Sequence, residues 1–455
     1  MATAAALKPA GPPSHAPARF WRAAFGALIL AGLGAGMAVG LAGSEAPAWM
    51  VVAGGVALLA MLALAVARYE LAVALAFLMF AVVRVEPAPS DAAFAVIIAV
   101  AVATGRFHLG VTPLGPAVGV SAFILLNLLS CFEVLDPGRA ARFMAITVYL
   151  LIFALWIPSW LTDRRKARRL VRIYVGVAAV SAVIGSLALF APLPGHDVLT
   201  VYGGTRARAL FKDPNVFGPF LVFAAMLLVQ ELLEPRLLRS GRVTKLAILA
   251  VLVCGILFSY SRAAWLNFAV SSIVMGTVLA LRRGGGRRAL VFMAVLVLAA
   301  GAVVVSIRVT GSLTFLRERA QFQTYDNQRF GAQSGGIRLG ERDPIGIGPG
   351  QFELVEPISA HSTYVRALAE EGVLGFIVLT ALLYGTMLLA LRNAVRGWDT
   401  HGIGSATLLA CWCGVLANSA FVDTLHWRHL WLMAGLIWAA GMAQASSNAG
   451  TRPLR

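Results

Sequence analysis

Long apolar stretches separated by short polar segments form the main pattern of this chain. Runs of roughly 20 apolar residues recur along its length, and each is long enough to cross a bilayer as an α-helix. The candidate spans are residues 23–43, 48–67, 69–85, 92–104, 112–132, 142–161, 170–190, 214–233, 246–260, 262–281, 289–307, 372–391, 404–422 and 428–445. The pattern predicts an all-α, polytopic transmembrane helical bundle. It has twelve to fourteen spans, because the short segment 92–104 either spans alone or pairs with 69–85 as a broken element.

The polar segments divide this pattern into five parts. These are a tail at 1–22, a transmembrane region at 23–307 with an outer polar segment at 191–213, a long loop at 308–371, the last spans at 372–445 and a tail at 446–455. A loop of this length is usually functional when it lacks structure of its own. Leu313, Leu316 and Ala320 recur in it at three- and four-residue steps, which predicts a helix lying on the membrane surface.

Composition and charge agree with a membrane protein. The chain of 455 residues is 59% hydrophobic and 13% charged, whereas soluble domains carry about 25% charged residues. Its net charge of +17 is concentrated in the alternate loops "DRRKARR" (163–169), "PRLLRSGRVTK" (235–245) and "RRGGGRR" (282–288). By the positive-inside rule these loops and both termini are cytoplasmic, and the segments 191–213 and 308–371 lie outside. The basic charge therefore predicts membrane lipids as partners and no nucleic acid.

Arginines in the outer segments run against this charge bias. They are Arg206, Arg208, Arg262, Arg329 and Arg338. A single arginine at a membrane interface often pairs with lipid phosphate. Together they favour a shared anionic site, because a guanidinium group holds phosphate through two hydrogen bonds. Arg262 also begins a predicted span, where the helix dipole favours an anion.

The segment "KDPN" (212–215) predicts the start of the span that follows it. Asp213 or Asn215 is a suitable cap, and Pro214 suits the first turn of a helix. Capping alone accounts for these residues, but Asn215 is also a candidate for binding substrate beside the arginines.

A histidine stands where the long loop meets the next span, in "HSTYVRALAEEGVLG" (361–375). An imidazole has an ordinary pKa near 6.5, so His361 is suited to act as a general base near neutral pH. The alternative is that His361 caps the helix or pairs with Glu370 or Glu371. Tyr364 lies on the same face if the segment is helical, where it either orients a sugar or packs against other side chains.

The residues leave two other classes of protein open. A transporter usually carries ionisable groups near mid-membrane and internal repeats, whereas the predicted spans are almost free of charge. A metal-dependent transferase would need paired acidic residues. The sequence contains no Asp-x-Asp, so no metal or other cofactor is expected. His426 and His429 form a weak zinc motif in "HWRH", and a position beside interfacial tryptophans explains them better.

Four motifs, taken together and in order, resemble the O-antigen ligase and O-antigen polymerase superfamily. They are "RARALFKDPNVFGPFL" (206–221), "SRAAW" (261–265), "GIGPGQFE" (346–353) and "HSTYVRALAEEGVLGF" (361–376). The resemblance covers most of the chain from about residue 120 onward and includes the long loop before the last spans. One departure is Ala209, because the family often has glycine at this position.

The resemblance implies a GT-C-like glycosyltransferase of the bacterial inner membrane with its active site facing the periplasm. Its donor would be a glycan on undecaprenyl pyrophosphate, and its reaction would invert the anomeric centre without a metal. At the matching positions, Arg206 and Arg262 are expected to hold the pyrophosphate and His361 to be the essential histidine. A ligase moves the glycan to a sugar hydroxyl of the lipid A core, whereas a polymerase moves it to another repeat unit. We favour the ligase and keep the polymerase as the alternative.

Overall fold

The computed structural model describes residues 48–449 apart from 192–193, 283–284 and 322–323. The predicted first span, 23–43, lies outside these residues, as do the predicted N-terminal tail and most of the C-terminal tail. Regular structure in the described part is almost entirely helical, which confirms the predicted all-α class.

In chain order, seven of the described α-helices come before a short β-hairpin and eleven come after it. Before the hairpin come α1 (Ala48–Ala67), α2 (Tyr69–Leu78), α3 (Pro89–Ala103), α4 (Leu114–Leu129), α5 (Pro137–Trp160), α6 (Arg164–Phe190) and α7 (His196–Leu199). Strands β1 (Thr200–Val201) and β2 (Arg206–Ala207) pair antiparallel. After them come α8 (Pro214–Leu233), α9 (Arg242–Phe258), α10 (Arg262–Leu281) and α11 (Gly286–Thr310). The predicted long loop contains α12 (Leu313–Ala320), α13 (Thr324–Arg342), α14 (Phe352–Val355) and α15 (Thr363–Glu370). The last helices are α16 (Gly372–Arg396), α17 (Ser405–Ser419) and α18 (Arg428–Ala449).

Seven of the described helices are long and apolar enough to cross a membrane, namely α4, α5, α6, α8, α10, α11 and α16. The shorter helices α1, α2, α3 and α17 are also apolar. Large apolar side chains are exposed on the periphery, for example Leu290, Val297 and Val305 on α11. Such a surface is unfavourable in water but matches the acyl chains of a bilayer. The chain is therefore a multi-pass membrane protein, and the number of its spans stays a prediction.

Helix α8 occupies the centre of the bundle. It packs against α6, α9 and α10, and most of its side chains are buried, including Phe217 and Phe220. A second buried layer joins α2 to α3, where the ring centroids of Phe77 and Phe94 lie 4.8 Å apart. Because the central helix begins at Pro214, the residues just before it lie in the middle of one end of the bundle. We call this end the site end.

The three basic segments of the sequence lie together at the opposite end, which we call the basic end. The Arg164 guanidinium donates to the Arg236 carbonyl at 2.8 Å. Arg288 forms an ion pair of 2.7 Å with Glu234. The segments thus share one face, as their positions in alternate loops predict.

A glycine-rich turn holds the long loop against the start of α16. Gly346 and Gly372 have φ angles of +93° and +71°. A Cβ atom on Gly346 would lie 2.3 Å from the Glu370 carbonyl oxygen, and one on Gly372 would lie 2.2 Å from the Pro344 carbonyl oxygen. Only glycine permits so close an approach of two backbones. The turn thereby fixes the position of α15 and of the polar segment before it.

Candidate functional site

The hairpin places Arg206 inside the protein at the site end, where the residue is only 6% exposed. Its Nε donates to the Ser259 carbonyl at 3.1 Å, and its Nη2 donates to Asn215 Oδ1 at 3.3 Å. Burial lowers the pKa of the Arg206 guanidinium to about 10, although Asp213 opposes the shift. Arg206 is therefore still a cation at neutral pH. A buried cation held in place by protein groups stabilises an anion with little reorganisation.

Two helix N-termini meet beside Arg206. Asp213 caps α8 by accepting from the Asn215 amide at 2.6 Å, and Pro214 follows it in the first turn. Ser261 caps α10, and its hydroxyl donates to Asn215 Oδ1 at 2.7 Å. Asn215 therefore ties the arginine to both helix starts, whose dipoles present their positive ends here.

Ala209, the position at which the family often has glycine, lies in the turn between β2 and α8. Its φ angle is +50°, in the left-handed region, and the residue is fully buried. A non-glycine residue pays roughly 1–2 kcal/mol in this region. The departure from the family pattern thus falls on a backbone conformation that glycine adopts more easily, and the turn still forms.

Arg262, at the start of α10, is paired with a carboxylate of α13. Its Nη1 donates to Asp326 Oδ2 at 2.9 Å, and its Nη2 contacts the other oxygen of the same carboxylate. Arg329 lies nearly one turn further along α13. Its Nη2 donates to the Phe421 carbonyl at 2.8 Å, and its guanidinium lies 5.6 Å from the centroid of the Tyr325 ring.

His361 faces the same space from the segment before α15. Its Nε2 lies 3.0 Å from the Tyr325 hydroxyl, and its carbonyl accepts from Gln333 Nε2 at 3.2 Å. Burial lowers the pKa of His361 to about 4, and the nearby charge of Arg329 adds to the shift. The imidazole is therefore neutral at physiological pH and has a lone pair that can accept a proton.

The two glutamates that offered His361 another partner are engaged elsewhere. Glu370 forms an ion pair of 2.7 Å with Arg366. The carboxylate oxygens of Glu371 are buried and have no hydrogen-bond partner among the described residues. Neither side chain is hydrogen-bonded to His361, so the described contacts give no support to a glutamate-paired histidine.

These groups line a cavity of about 760 Å³ at the site end, which we call the first cavity. Its polar wall includes Tyr202, Thr205, Arg206, Asp213, Asn215, Arg262, Arg319, Tyr325, Asp326, Arg329, Gln333 and His361. Apolar side chains such as Leu266, Phe315 and Phe330 complete it. The wall contains four arginines and two carboxylates, so it has a positive excess that suits a ligand with phosphate groups.

Five of the predicted site residues line this cavity, namely Arg206, Asn215, Arg262, Arg329 and His361. Arg208 and Arg338 do not. The guanidinium of Arg208 donates to backbone carbonyls of its own hairpin region, including that of Asp197 at 2.9 Å. Arg338 is exposed on α13, more than two turns beyond Arg329.

Tyr364 also lies outside the first cavity. Its hydroxyl donates to the Leu416 carbonyl at 3.3 Å. Tyr364 and His361 share a face only if both residues are helical. The helix begins only at Thr363, and His361 has a φ angle of +46°, so the two side chains diverge.

Tyr325, Asp326 and Gln333 also line the cavity, and the sequence motifs do not point to them. The segment predicted as one surface helix forms two helices, because α12 ends at Ala320 and α13 begins at Thr324. The apolar positions of this segment do not reveal its polar face. Tyr325, Arg329 and Gln333 recur every four residues, and this polar stripe was the available signal.

The histidines of "HWRH" have partners within the protein. His426 Nε2 lies 2.9 Å from Thr147 Oγ1, and the His429 ring stacks on Trp427 with centroids 5.0 Å apart. Among the described residues, no group of three or more His, Cys, Asp or Glu side chains is placed to hold a metal ion.

The apolar helices are long enough to cross a membrane, and a cavity with an excess of cationic side chains lies at one end of them. These features define a multi-pass membrane protein. Residues 247–380 match the family model described as O-Antigen ligase. This match, over less than a third of the chain, supports the resemblance to the O-antigen ligase family that the motifs predict. The match supports, in general terms, a function of the O-antigen ligase and polymerase type.

The matched segment contains Arg262, α13 and His361, which form one side of the first cavity. Arg206 and Asn215 come from outside it and complete the other side. A search of curated proteins found no match to the chain.

Proposed function

We propose that the protein transfers a glycan from undecaprenyl pyrophosphate to a sugar hydroxyl of the lipid A core, at the periplasmic face of the bacterial inner membrane. One observation carries the proposal. Arg206, Arg262 and Arg329 line a single cavity together with the neutral imidazole of His361. The match of residues 247–380 to the O-antigen ligase family model supports the general class of substrate, a lipid-linked glycan.

The arginines answer the first need of this reaction. A glycosyl pyrophosphate already carries its leaving group, so the enzyme needs no covalent nucleophile of its own. Negative charge grows on the pyrophosphate oxygen as the bond to the sugar breaks. Guanidinium groups placed in advance at that oxygen stabilise the transition state more than the ground state.

His361 answers the second need, which is to take a proton. The acceptor hydroxyl attacks the anomeric carbon from the side opposite the pyrophosphate, and its proton passes to the imidazole. The new C–O bond forms as the C–O bond to pyrophosphate breaks, and the electron pair of that bond stays on the pyrophosphate. A single displacement of this kind inverts the anomeric centre. Arginines supply the positive charge, so the reaction has no step that requires a metal.

Two alternatives share parts of this picture. A polymerase would use the same donor cavity and differ in its acceptor, which would be a second lipid-linked unit. A transporter would place ionisable groups along a path through the bundle. The arginines and histidine of the first cavity instead gather around the N-termini of α8 and α10, which favours an enzyme at the membrane interface.

Full-length protein in detergent, supplied with a lipid-linked glycan in buffer containing EDTA, should transfer the glycan to the lipid A core. A second lipid-linked unit offered as acceptor in parallel should receive much less. Gel mobility of the acceptor measures both reactions. Transfer only to the second unit would establish a polymerase. Activity that returns only when magnesium or manganese is added would contradict metal independence, and a lack of transfer to either acceptor would contradict the proposal.

The charge pattern predicts which end faces outside. Single cysteines replacing Arg165 at the basic end and Glu341 at the end of α13, in a variant lacking the four native cysteines, sit at exposed positions. A membrane-impermeant maleimide applied to intact cells with a permeable outer membrane should label the cysteine at position 341 and not the one at 165. Labelling at 165 alone would reverse the orientation and move the site to the cytoplasm.

A further inference from the structure

A second cavity, of about 620 Å³, adjoins the first at the site end. His361, Asp213 and Asn215 line both cavities. The rest of the second wall comes from the segment before α3, the start of α5, the start of α8, residues before and within α15, and the segment between α17 and α18. His361 therefore stands at the boundary between two separate spaces.

Two arginines of the second cavity have no carboxylate partner in the described part of the chain. Arg142, on the first turns of α5, is exposed and forms no ion pair there. Arg84 donates to the Val198 carbonyl at 3.0 Å and is likewise exposed. Unpaired guanidinium groups on the wall of a cavity suit an anionic ligand.

The other cations of the second cavity are already neutralised. Lys212 pairs with Glu86 at 3.1 Å, and Arg139 pairs with Glu353 at 2.7 Å. Such pairs hold the wall in shape. They also leave carboxylate oxygens at the surface of the cavity, where sugar hydroxyls can donate hydrogen bonds.

A buried network supports this wall beside His361. The Arg366 side chain is 4% exposed, and it pairs with Asp423 and Glu370 at 2.7 Å each and also with Glu353. Burial acts to raise the pKa of Glu353, but Arg366 more than compensates, and the pKa falls to about 2. Glu353 is therefore ionised at all physiological pH values. Because its carboxylate partners already saturate Arg366, this arginine has a structural role and does not await a ligand.

We propose that the second cavity binds the acceptor, a saccharide that carries a phosphate or carboxylate group near its accepting hydroxyl, and that Arg142 and Arg84 hold this anionic group. The inference rests on the proposed transfer reaction. It assigns the pyrophosphate to the first cavity, where the buried Arg206 lies, and the acceptor to the second.

The shared position of His361 supports this division of the two substrates. In an inverting displacement the attacking oxygen and the leaving oxygen lie on opposite sides of the anomeric carbon. Two cavities that meet at the base allow the donor to enter from one and the acceptor hydroxyl from the other. The hydroxyl proton then reaches His361 while the pyrophosphate stays among the arginines of the first cavity.

The test compares Arg142→Gln with the parent on matched acceptors. These are a lipid A core with its phosphates and carboxylates intact, the same core after enzymatic dephosphorylation, and the same core after its carboxyl groups are reduced to alcohols. With the intact core, Arg142→Gln should lower kcat/KM about 10- to 100-fold, the effect of losing a hydrogen bond to a charged group. The loss should lie in the KM of the acceptor, with the KM of the donor unchanged.

The neutralised acceptors identify the anionic group. For the acceptor that lacks the group bound by Arg142, the parent should lose the same factor, and Arg142→Gln should then match the parent. Arg317→Gln on α12, an exposed arginine that lines neither cavity, is the matched control and should behave as the parent. The double variant Arg84→Gln with Arg142→Gln should have a still lower kcat/KM than Arg142→Gln. This further loss should be seen with the intact core and not with the core that lacks the bound anionic group.

Each other outcome has one meaning. An equal loss on intact and neutralised acceptors, or a raised KM for the donor, overturns the acceptor assignment while the transfer reaction stands. Unchanged kcat/KM in the double variant overturns it as well. A parent that transfers glycan to none of the acceptors overturns the proposed function, and the inference falls with it.

Discussion

His361→Gln should reduce glycan transfer by about 10²- to 10⁴-fold, the usual contribution of a general base. Glutamine can replace the hydrogen bond to the Tyr325 hydroxyl, which lies 3.0 Å from His361 Nε2, but it cannot accept a proton near neutral pH. Binding of the lipid-linked donor should stay near the parental value, because the arginines of the first cavity are unchanged. His361→Ala should be equally slow. Single-turnover transfer, measured beside donor binding, gives both quantities.

His401→Gln, the same substitution at the basic end of the bundle, is the control and should transfer at the parental rate. Near-parental turnover by His361→Gln would show that the base lies elsewhere and that His361 is structural. If donor binding collapses in His361→Gln while turnover of the bound donor is unchanged, His361 belongs with the pyrophosphate ligands instead.

The low pKa of His361 gives its role a signature in the pH dependence. The base must be unprotonated to act, so activity is present above its pKa and is lost as pH falls through it. For the free enzyme, with a pKa of about 4, kcat/KM should stay constant down to about pH 5 and then fall.

A bound pyrophosphate offsets the charge of Arg329. The fall of kcat at acidic pH should therefore occur at a higher pH than the fall of kcat/KM. In Arg329→Gln the fall of kcat/KM at acidic pH should also occur at a higher pH, because this variant lacks a cation that lowers the pKa of His361. If kcat/KM of the parent and of Arg329→Gln falls at the same acidic pH, this electrostatic explanation is wrong.

Arg206→Ala and Arg262→Ala should each lose about 10- to 100-fold or more in transfer, with most of the loss in donor affinity. A hydrogen bond to a charged group is worth roughly 1.5–3 kcal/mol, and a bidentate contact involves two of them. Arg206→Lys and Arg262→Lys should recover only part of the activity, because an ammonium keeps the charge but not the fork. Equilibrium binding of the donor measures the effect directly. Parental affinity in both lysine variants would show that a point charge suffices.

Asp326 supplies the control for Arg262. Removing the arginine takes a bidentate ion-pair partner away from Asp326, a residue that is only 5% exposed, and the loss of this contact by itself disturbs α13. The double variant Arg262→Ala with Asp326→Asn has no carboxylate at position 326 to be left without the arginine. The cavity still lacks the cation that would bind the donor. The double variant should therefore remain as weak as Arg262→Ala. Recovery to parental activity would mean that Arg262 acts only by holding α13.

Elements that depend on neighbours in sequence were predictable from the sequence alone. The length of each apolar run sets whether a helix can cross a bilayer, so the spans from residue 48 onward coincide with helices to within several residues at most ends. Local capping likewise requires only adjacent residues, and Asp213 with Pro214 starts α8 as "KDPN" indicates. The positions of the basic loops also predicted that they lie together at one end of the bundle, as the structure shows. Alternate connections between antiparallel spans must lie at the same end.

The composition of the site depends on how distant segments pack, and only the tertiary structure decided it. Tyr325 meets His361 across 36 positions of sequence, and Arg262 meets Asp326 across 64. His361 itself has a left-handed φ angle and lies before the Ser362 cap of α15, so the helical spacing that would place it beside Tyr364 does not apply. The motifs identify residues suited to binding phosphate and accepting a proton. Which of them share a cavity, and that a second cavity meets the first at His361, follows from the packing of α5, α8, α10, α13 and α15, because no local pattern in the chain encodes the distance between helices.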